Sequence, residues 1–289
     1  MKKQILSAIG LFLIIGTSLK LQAQPSKLQI IKFASSNTSF PDSARKNGYT
    51  YDSVLYDAKS HYSDSSVLLL VPPQFTATDN VDLVFWFHGW RNNIDTAIVF
   101  YELNKQFIGS KRNSILVLPE AAKDAPDSYG GKLEKPGTFS LLVRDALREL
   151  KQHQIISNQA KPGRITLAGH SGGYWIIAKI LQDGNMPVQE VFLFDGLYAQ
   201  EFKFMNWIKE NPGHVFVHYY TDHGGTYEDS MEFMEQLKHE KIPFINKEEA
   251  DLTANDLRNN RVIFVHSLHP HNEIINRPDN FQLLLESKN

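Results

Sequence analysis

The apolar residues of this chain fall in short runs that show little alternation with polar ones. Runs at 66–71, 81–87, 114–118, 164–168, 190–194, 214–220 and 261–265 are dominated by Val, Ile, Leu, Phe and Tyr. Runs of this length without a polar face predict strands buried on both sides. Between them the spacing becomes helical. Residues 93–109 follow a polar turn and stop at Gly109, and 138–153 carry Leu141, Leu142, Ala146, Leu147 and Leu150 at helical intervals behind Thr138 as N-cap. A helix is also expected over 175–181. Residues 226–239 gather Met231, Phe233, Met234 and Leu237, and 278–287 close the chain with Phe281, Leu284 and Leu285 facing inward. Buried strands alternating with helices require a mostly parallel central sheet with helices on both faces. No repeat, low-complexity block or Gly/Pro/Ser-rich linker interrupts the pattern, so residues 49–289 read as one α/β domain with inserted loops at 120–137 and 241–260.

The two ends of this pattern differ. Lys2 and Lys3 precede an almost wholly apolar stretch from Ile5 to Ile15, and Leu21, Gln22 and Ala23 follow it. A short basic segment, an apolar run too short to span a bilayer and a small residue at the cut describe a signal peptide over residues 1–23. Export to the periplasm or the extracellular space is therefore expected, with no integral membrane span after cleavage. Residues 24–48, rich in Ser, Pro and Lys around an apolar stretch at 28–33, read as an N-terminal extension before the domain.

Composition narrows the chemistry. The 289 residues are 42% hydrophobic and 21% charged, which is the balance of a globular chain. The formal charge is −2, and loss of residues 1–23 removes three Lys and no acid, taking it to −5 over 266 residues. Neither value offers an electrostatic footprint for nucleic acid. There is no Cys, which removes disulfides, thiolate metal sites, a cysteine nucleophile and a lipid anchor at the leader's end.

The sharpest local signal is Gly169-His170-Ser171-Gly172-Gly173, entered from the strand at 164–168 and left through the helix at 175–181. This is G-x-S-x-G in strand–turn–helix context, where a strained turn exposes a serine hydroxyl above a sheet and the glycines let the backbone cross tightly. Upstream, the strand at 81–87 runs into His88-Gly89-Trp90-Arg91. A tetrahedral intermediate formed at Ser171 needs preorganised backbone N–H donors, which Gly172 and Trp90 can supply.

With these motifs the chain resembles the α/β-hydrolase superfamily in its secreted serine esterase/lipase-like branch, from about Tyr49 to the C-terminus. The resemblance implies an α/β-hydrolase fold and a Ser-His-Asp triad that works without a cofactor. The base is expected after the last strand, where His266, His269 and His271 follow one another. His271, in the loop before Ile274, Ile275 and the final helix, matches the family layout best; His269 is the alternative base, and His266 continues the strand. A histidine ionises near neutrality and so can take the Ser171 proton and return it to the leaving group. The acid is Asp195, at the end of the strand at 190–194, or Asp222, after the strand at 214–220. A buried strand-end carboxylate orients an imidazole better than one in a polar Gly-rich loop, which favours Asp195. Read as a metal cluster, the three histidines would need a carboxylate such as Glu273, but no upstream spacing completes a zinc motif.

The expected function is a secreted serine hydrolase cleaving a carboxylic ester, small or polymer-linked. An amidase or peptidase of the same fold and a non-catalytic binding protein retaining the elbow are the competing readings. Residues 120–137 follow a strand end and are long enough to reach over the site as a substrate loop. Trp90, Trp175, Tyr174, Tyr198 and Tyr220 lie near strand ends, where they suit a sugar or aryl group.

Overall fold

The computed structural model describes residues 27–287, and the expected signal peptide lies outside them. Eleven strands are present among these residues: β1 Gln29–Ala34, β2 Tyr49–Tyr51, β3 Val54–Tyr56, β4 Ser66–Val71, β5 Asn80–Phe87, β6 Ser114–Pro119, β7 Lys161–His170, β8 Glu190–Phe194, β9 Val215–Thr221, β10 Ile245–Glu248 and β11 Val262–Ser267. The helices are α1 Ala58–His61, α2 Ile94–Phe100, α3 Leu103–Gly109, α4 Thr138–Gln152, α5 Tyr174–Asp183, α6 Glu201–Glu210, α7 Tyr227–His239, α8 Ala254–Asn259 and α9 Asn280–Ser287. Nine strands form one sheet in the order β1-β4-β6-β5-β7-β8-β9-β11-β10, and β2 pairs with β3 in a separate hairpin. The sheet is parallel from β6 to β10, while β4 runs antiparallel to both β1 and β6. No helix among the described residues is long and apolar enough to cross a membrane.

The strand runs are unbroken because both faces of the sheet are covered. In β5, Val81, Leu83, Phe85 and Phe87 join a cluster with Phe139 of α4, Ile177 of α5, Phe204 of α6 and Phe233 of α7. Val84 and Trp86, on the other face, pack with Ala97 of α2, Phe107 of α3, Leu257 of α8 and Phe281 of α9. Successive side chains of a strand point to opposite faces, so a strand between two helical layers needs apolar residues at every position. Each such side chain contributes about 1.5–3 kcal/mol on burial.

Several elements depart from the sequence reading. Within the segment before the domain, β1 pairs with β4 along Gln29↔Val71 to Ala34↔Ser66 and so joins the central sheet. Although Ile30 is exposed, Ile31 is buried in the core, as suits an edge strand covered on one face. The helix expected over 93–109 breaks into α2 and α3 at Glu102, whose φ of 50° lies in the left-handed region. The break turns the buried Tyr101 inward. Thr138 is the first residue of α4 rather than its cap, because Gly137 at φ 76° precedes it without a side-chain capping bond. The loop expected at 241–260 contains β10 and α8, and helix α6 stands where no helix was expected.

Chain order and spatial order reverse around β5 and β7. From β5 the chain moves outward to β6, then crosses back to β7 and continues to β8 and β9. Open α/β sheets bind ligands at the strand C-termini beside such a reversal. The turns after β5 and β7 carry His88–Arg91 and Ser171.

Candidate active site

Ser171 stands at the end of β7 with φ 52°, a left-handed backbone for a residue with a Cβ. Such a conformation persists only where its surroundings over-determine it. A Cβ on Gly173 would lie 2.5 Å from the Phe87 carbonyl oxygen, so only glycine lets the turn cross β5 here. The conformation raises the Ser171 side chain above the sheet edge.

His271 and Asp195 meet beside this turn. His271 Nδ1–H donates to Asp195 Oδ2 at 2.7 Å. Asp195 is fully buried, and it also accepts from Thr221 Oγ1 at 2.6 Å and from Thr226 Oγ1. Burial alone would raise its pKa, but the bonds from His271, Thr221 and Thr226 outweigh that and hold it below the usual carboxylate range. Gly224 closes the packing, since a Cβ there would fall 1.5 Å from Asp195 Oδ2. Ser230 Oγ donates to the Thr226 carbonyl at 2.6 Å and accepts from buried His218 at 3.0 Å. Burial pushes His218 down to about 4, so this support beneath the carboxylate carries no competing cation near neutral pH.

The other candidates lie elsewhere. Asp222 pairs with His266, whose Nε2–H donates to it at 2.8 Å while Nδ1–H donates to Glu248 at 2.9 Å. Burial lowers the His266 pKa, the two carboxylates raise it further, and the net shift is upward. His269 faces Glu249 at 3.7 Å. The three histidines therefore turn to three different sets of carboxylates and do not converge on one point. Asp195 and His271 come together; Asp222 and His269 do not join them.

Gly89 and Trp90 follow β5 as expected and lie against the elbow. A Cβ on Gly89 would approach Ser171 Cβ to 2.7 Å. His88, by contrast, is structural: its Nε2–H donates to buried Glu120 at 2.7 Å and its Nδ1–H to the Gly89 carbonyl at 2.9 Å. Burial opposes its charge, but Glu120 prevails and raises its pKa.

A cavity of about 330 Å³ opens beside Ser171, lined by Trp90, Ser128, Gly172, Tyr174 and Tyr198. Tyr174 and Tyr198 stand with ring centres 5.7 Å apart, and the Tyr198 hydroxyl donates to the Gly224 carbonyl at 2.6 Å. Burial, with the nearby Asp195 charge, raises the Tyr198 pKa. Residues 120–137 do reach the site: Trp90 Nε1–H donates to Ser128 Oγ at 2.7 Å. Of the other aromatics singled out, Trp175 turns to Glu134 and Tyr220 to Asn246, and neither lines the cavity.

Sequence reasoning missed the frame behind this wall. Arg45 holds Asp127 with Nε at 2.7 Å and Nη2 at 3.2 Å, and its guanidinium lies over Tyr49 at 4.7 Å and Tyr129 at 4.5 Å. Tyr51 packs edge-on against Trp90 at 5.3 Å. An isolated Arg in a polar segment carries no local signal of such a role. His170 was also passed over, although it lies inside the G-x-S-x-G motif. It is buried between Tyr101 and His271, and burial, with the nearby His271, pushes it down to about 3.

No protein-family model matches this chain, and no curated protein does. Solved structures match over nearly its whole length at low identity. A ferulic acid esterase aligns with a TM-score of 0.57 at 11% identity, covering 92% of this chain and 98% of its own. The feruloyl esterase module from Clostridium thermocellum, complexed with sinapinate, aligns at 0.52 and 12%, covering 91% and 88%. The S-formylglutathione hydrolase FrmB from Staphylococcus aureus aligns at 0.52 and 12%, covering 89% and 100%. The chain has the α/β-hydrolase fold.

Proposed function

We propose that this protein is an exported serine hydrolase that cleaves a carboxylic ester through an acyl-enzyme. Ser171 is the nucleophile, His271 the general base and Asp195 the acid that orients it. The observation that carries this reading is the 2.7 Å bond from His271 to a fully buried carboxylate, beside a serine held in a left-handed turn. With Nδ1 committed to Asp195, Nε2 is the nitrogen that takes the Ser171 proton as Oγ attacks the ester carbonyl. The backbone N–H groups of Trp90 and Gly172 receive the developing oxyanion, each donor being worth about 3 kcal/mol in the transition state. Imidazolium then protonates the departing alcohol, and water repeats the sequence to free the acid.

The aromatic walls of the cavity suit a planar group, and two of the aligned structures are esterases of aromatic acids. Aromatic esters therefore head the substrate panel. The basic and apolar leader supports export, with the mature chain expected to begin at Gln24 or a residue or two away.

A fluorophosphonate probe tests the chemistry. Mass spectrometry should find Ser171 modified in the folded protein, and absence of labelling would leave a binding protein of the same fold. Acyl p-nitrophenyl esters against the matching p-nitroanilides decide between ester and amide; faster turnover of the anilides overturns the ester assignment. EDTA should leave turnover unchanged.

A further inference from the structure

His170 lies between three parts of the site that come from distant stretches of chain. Its Nε2–H donates to the main-chain carbonyl of His271 at 2.9 Å, and its ring lies against the His271 ring with centres 4.4 Å apart. On the other side the Tyr101 hydroxyl meets Nδ1 at 3.0 Å. A carbonyl can only accept, so Nε2 carries the proton, and a neutral ring must then receive the Tyr101 hydroxyl proton at Nδ1. The sequence Tyr101–His170–His271 thus ties the kink between α2 and α3, the elbow and the base loop together.

We infer that His170 is a positioning residue for catalysis: its Nε2–H bond, with Nδ1 engaged by Tyr101, fixes the loop that presents the His271 imidazole to Ser171. This rests on the serine-hydrolase reading above. The need for such a tie is plain in the geometry. Asp195 orients His271 through one ring nitrogen, and one bond leaves the ring free to pivot about it. The contact at the His271 backbone supplies a second anchor from the same turn that carries the nucleophile, so nucleophile and base shift together. Its immediate neighbours can preserve that arrangement while His271 gains a proton. Tyr101 is a neutral donor, and among the described residues Asp195 is the carboxylate placed against the His271 ring. A second imidazolium with its ring centre 4.4 Å away would oppose the charge that His271 must acquire, whereas the neutral Nε2–H tautomer of His170 brings none.

The test uses the full chain, three variants and two readouts. His170→Leu should lower kcat on an ester substrate and the rate of fluorophosphonate labelling by about tenfold or more, with KM changed by less than about twofold. His170→Gln, whose amide nitrogen reaches the position of Nε2, should recover most of that loss. Tyr101→Phe should fall between them. Equal impairment in His170→Leu and His170→Gln, or parental kcat in His170→Leu, overturns the inference. Independently of turnover, ¹⁵N spectra of the imidazoles should show His170 protonated at Nε2 alone in the parent. A parental His170 protonated at Nδ1 also overturns it. If the parent itself is not labelled by the probe, the serine-hydrolase reading fails, and the spectra still report on the His170 tautomer.

Discussion

His271 and His266 stand a few residues apart in the chain, and each donates to an aspartate at almost the same distance, 2.7 Å to Asp195 and 2.8 Å to Asp222. Their surroundings differ. Asp195 is fully buried, held by two threonine hydroxyls and capped by Gly224, whereas Asp222 and Glu248 around His266 are 44% and 57% exposed. A carboxylate in water re-solvates readily and orients little, while one fixed by hydrogen bonds in a dry site holds an imidazole in one pose and stabilises its charge. The shared distance says nothing of role. The desolvated frame and the strained serine beside it distinguish the two pairs.

The comparison breaks most sharply at the proposed nucleophile and base. Ser171→Ala and His271→Ala should each lower kcat by about 10⁵-fold or more, measured by single-turnover hydrolysis. Asp195→Asn should cost about 10³–10⁴-fold in kcat, and Asp222→Asn less than about twofold; the reverse order would exchange the two acids. Gly224→Ala forces a methyl group into Asp195 Oδ2 and should lower kcat by about 100-fold, with circular dichroism reporting a retained fold. Arg45→Ala, which loosens the loop bearing Ser128, should raise KM about three- to tenfold with a smaller change in kcat.

The smallest effect concerns stability. The folded-state pKa of His266 lies above its ordinary value of 6.5. Its contribution is thus fully present below that value and lost as pH rises through the raised one. Thermal melts should therefore show His266→Gln destabilised more at about pH 5.5 than at about pH 8.5. An equal difference at both pH values would detach His266 from its carboxylates.

Much of the fold is legible along the chain because burial on both faces leaves strands such as β4 and β8 no polar positions. Strand β10 was not legible: its four residues are half-exposed at an edge, and Ile-Asn-Lys-Glu carries no strand pattern. The break at Glu102 escaped for another reason. The residues on either side keep helical spacing, and it is the contact of Tyr101 with His170 that accompanies the kink. The frame of Arg45, Asp127 and Tyr129 joins segments 82 residues apart, and periodicity is silent over that distance.

The sequence by itself determined the parallel sheet, the serine turn and the Gly89–Trp90 turn, since each depends on neighbouring residues: period, glycine placement and the strand that precedes them. It narrowed the remaining partners to three histidines and two aspartates. The tertiary structure alone decided which of them meet, that His170 bonds to the His271 main chain and that the N-terminal segment frames the cavity. Those contacts link residues far apart in the chain, and whether a carboxylate is dry or wet depends on packing from every side.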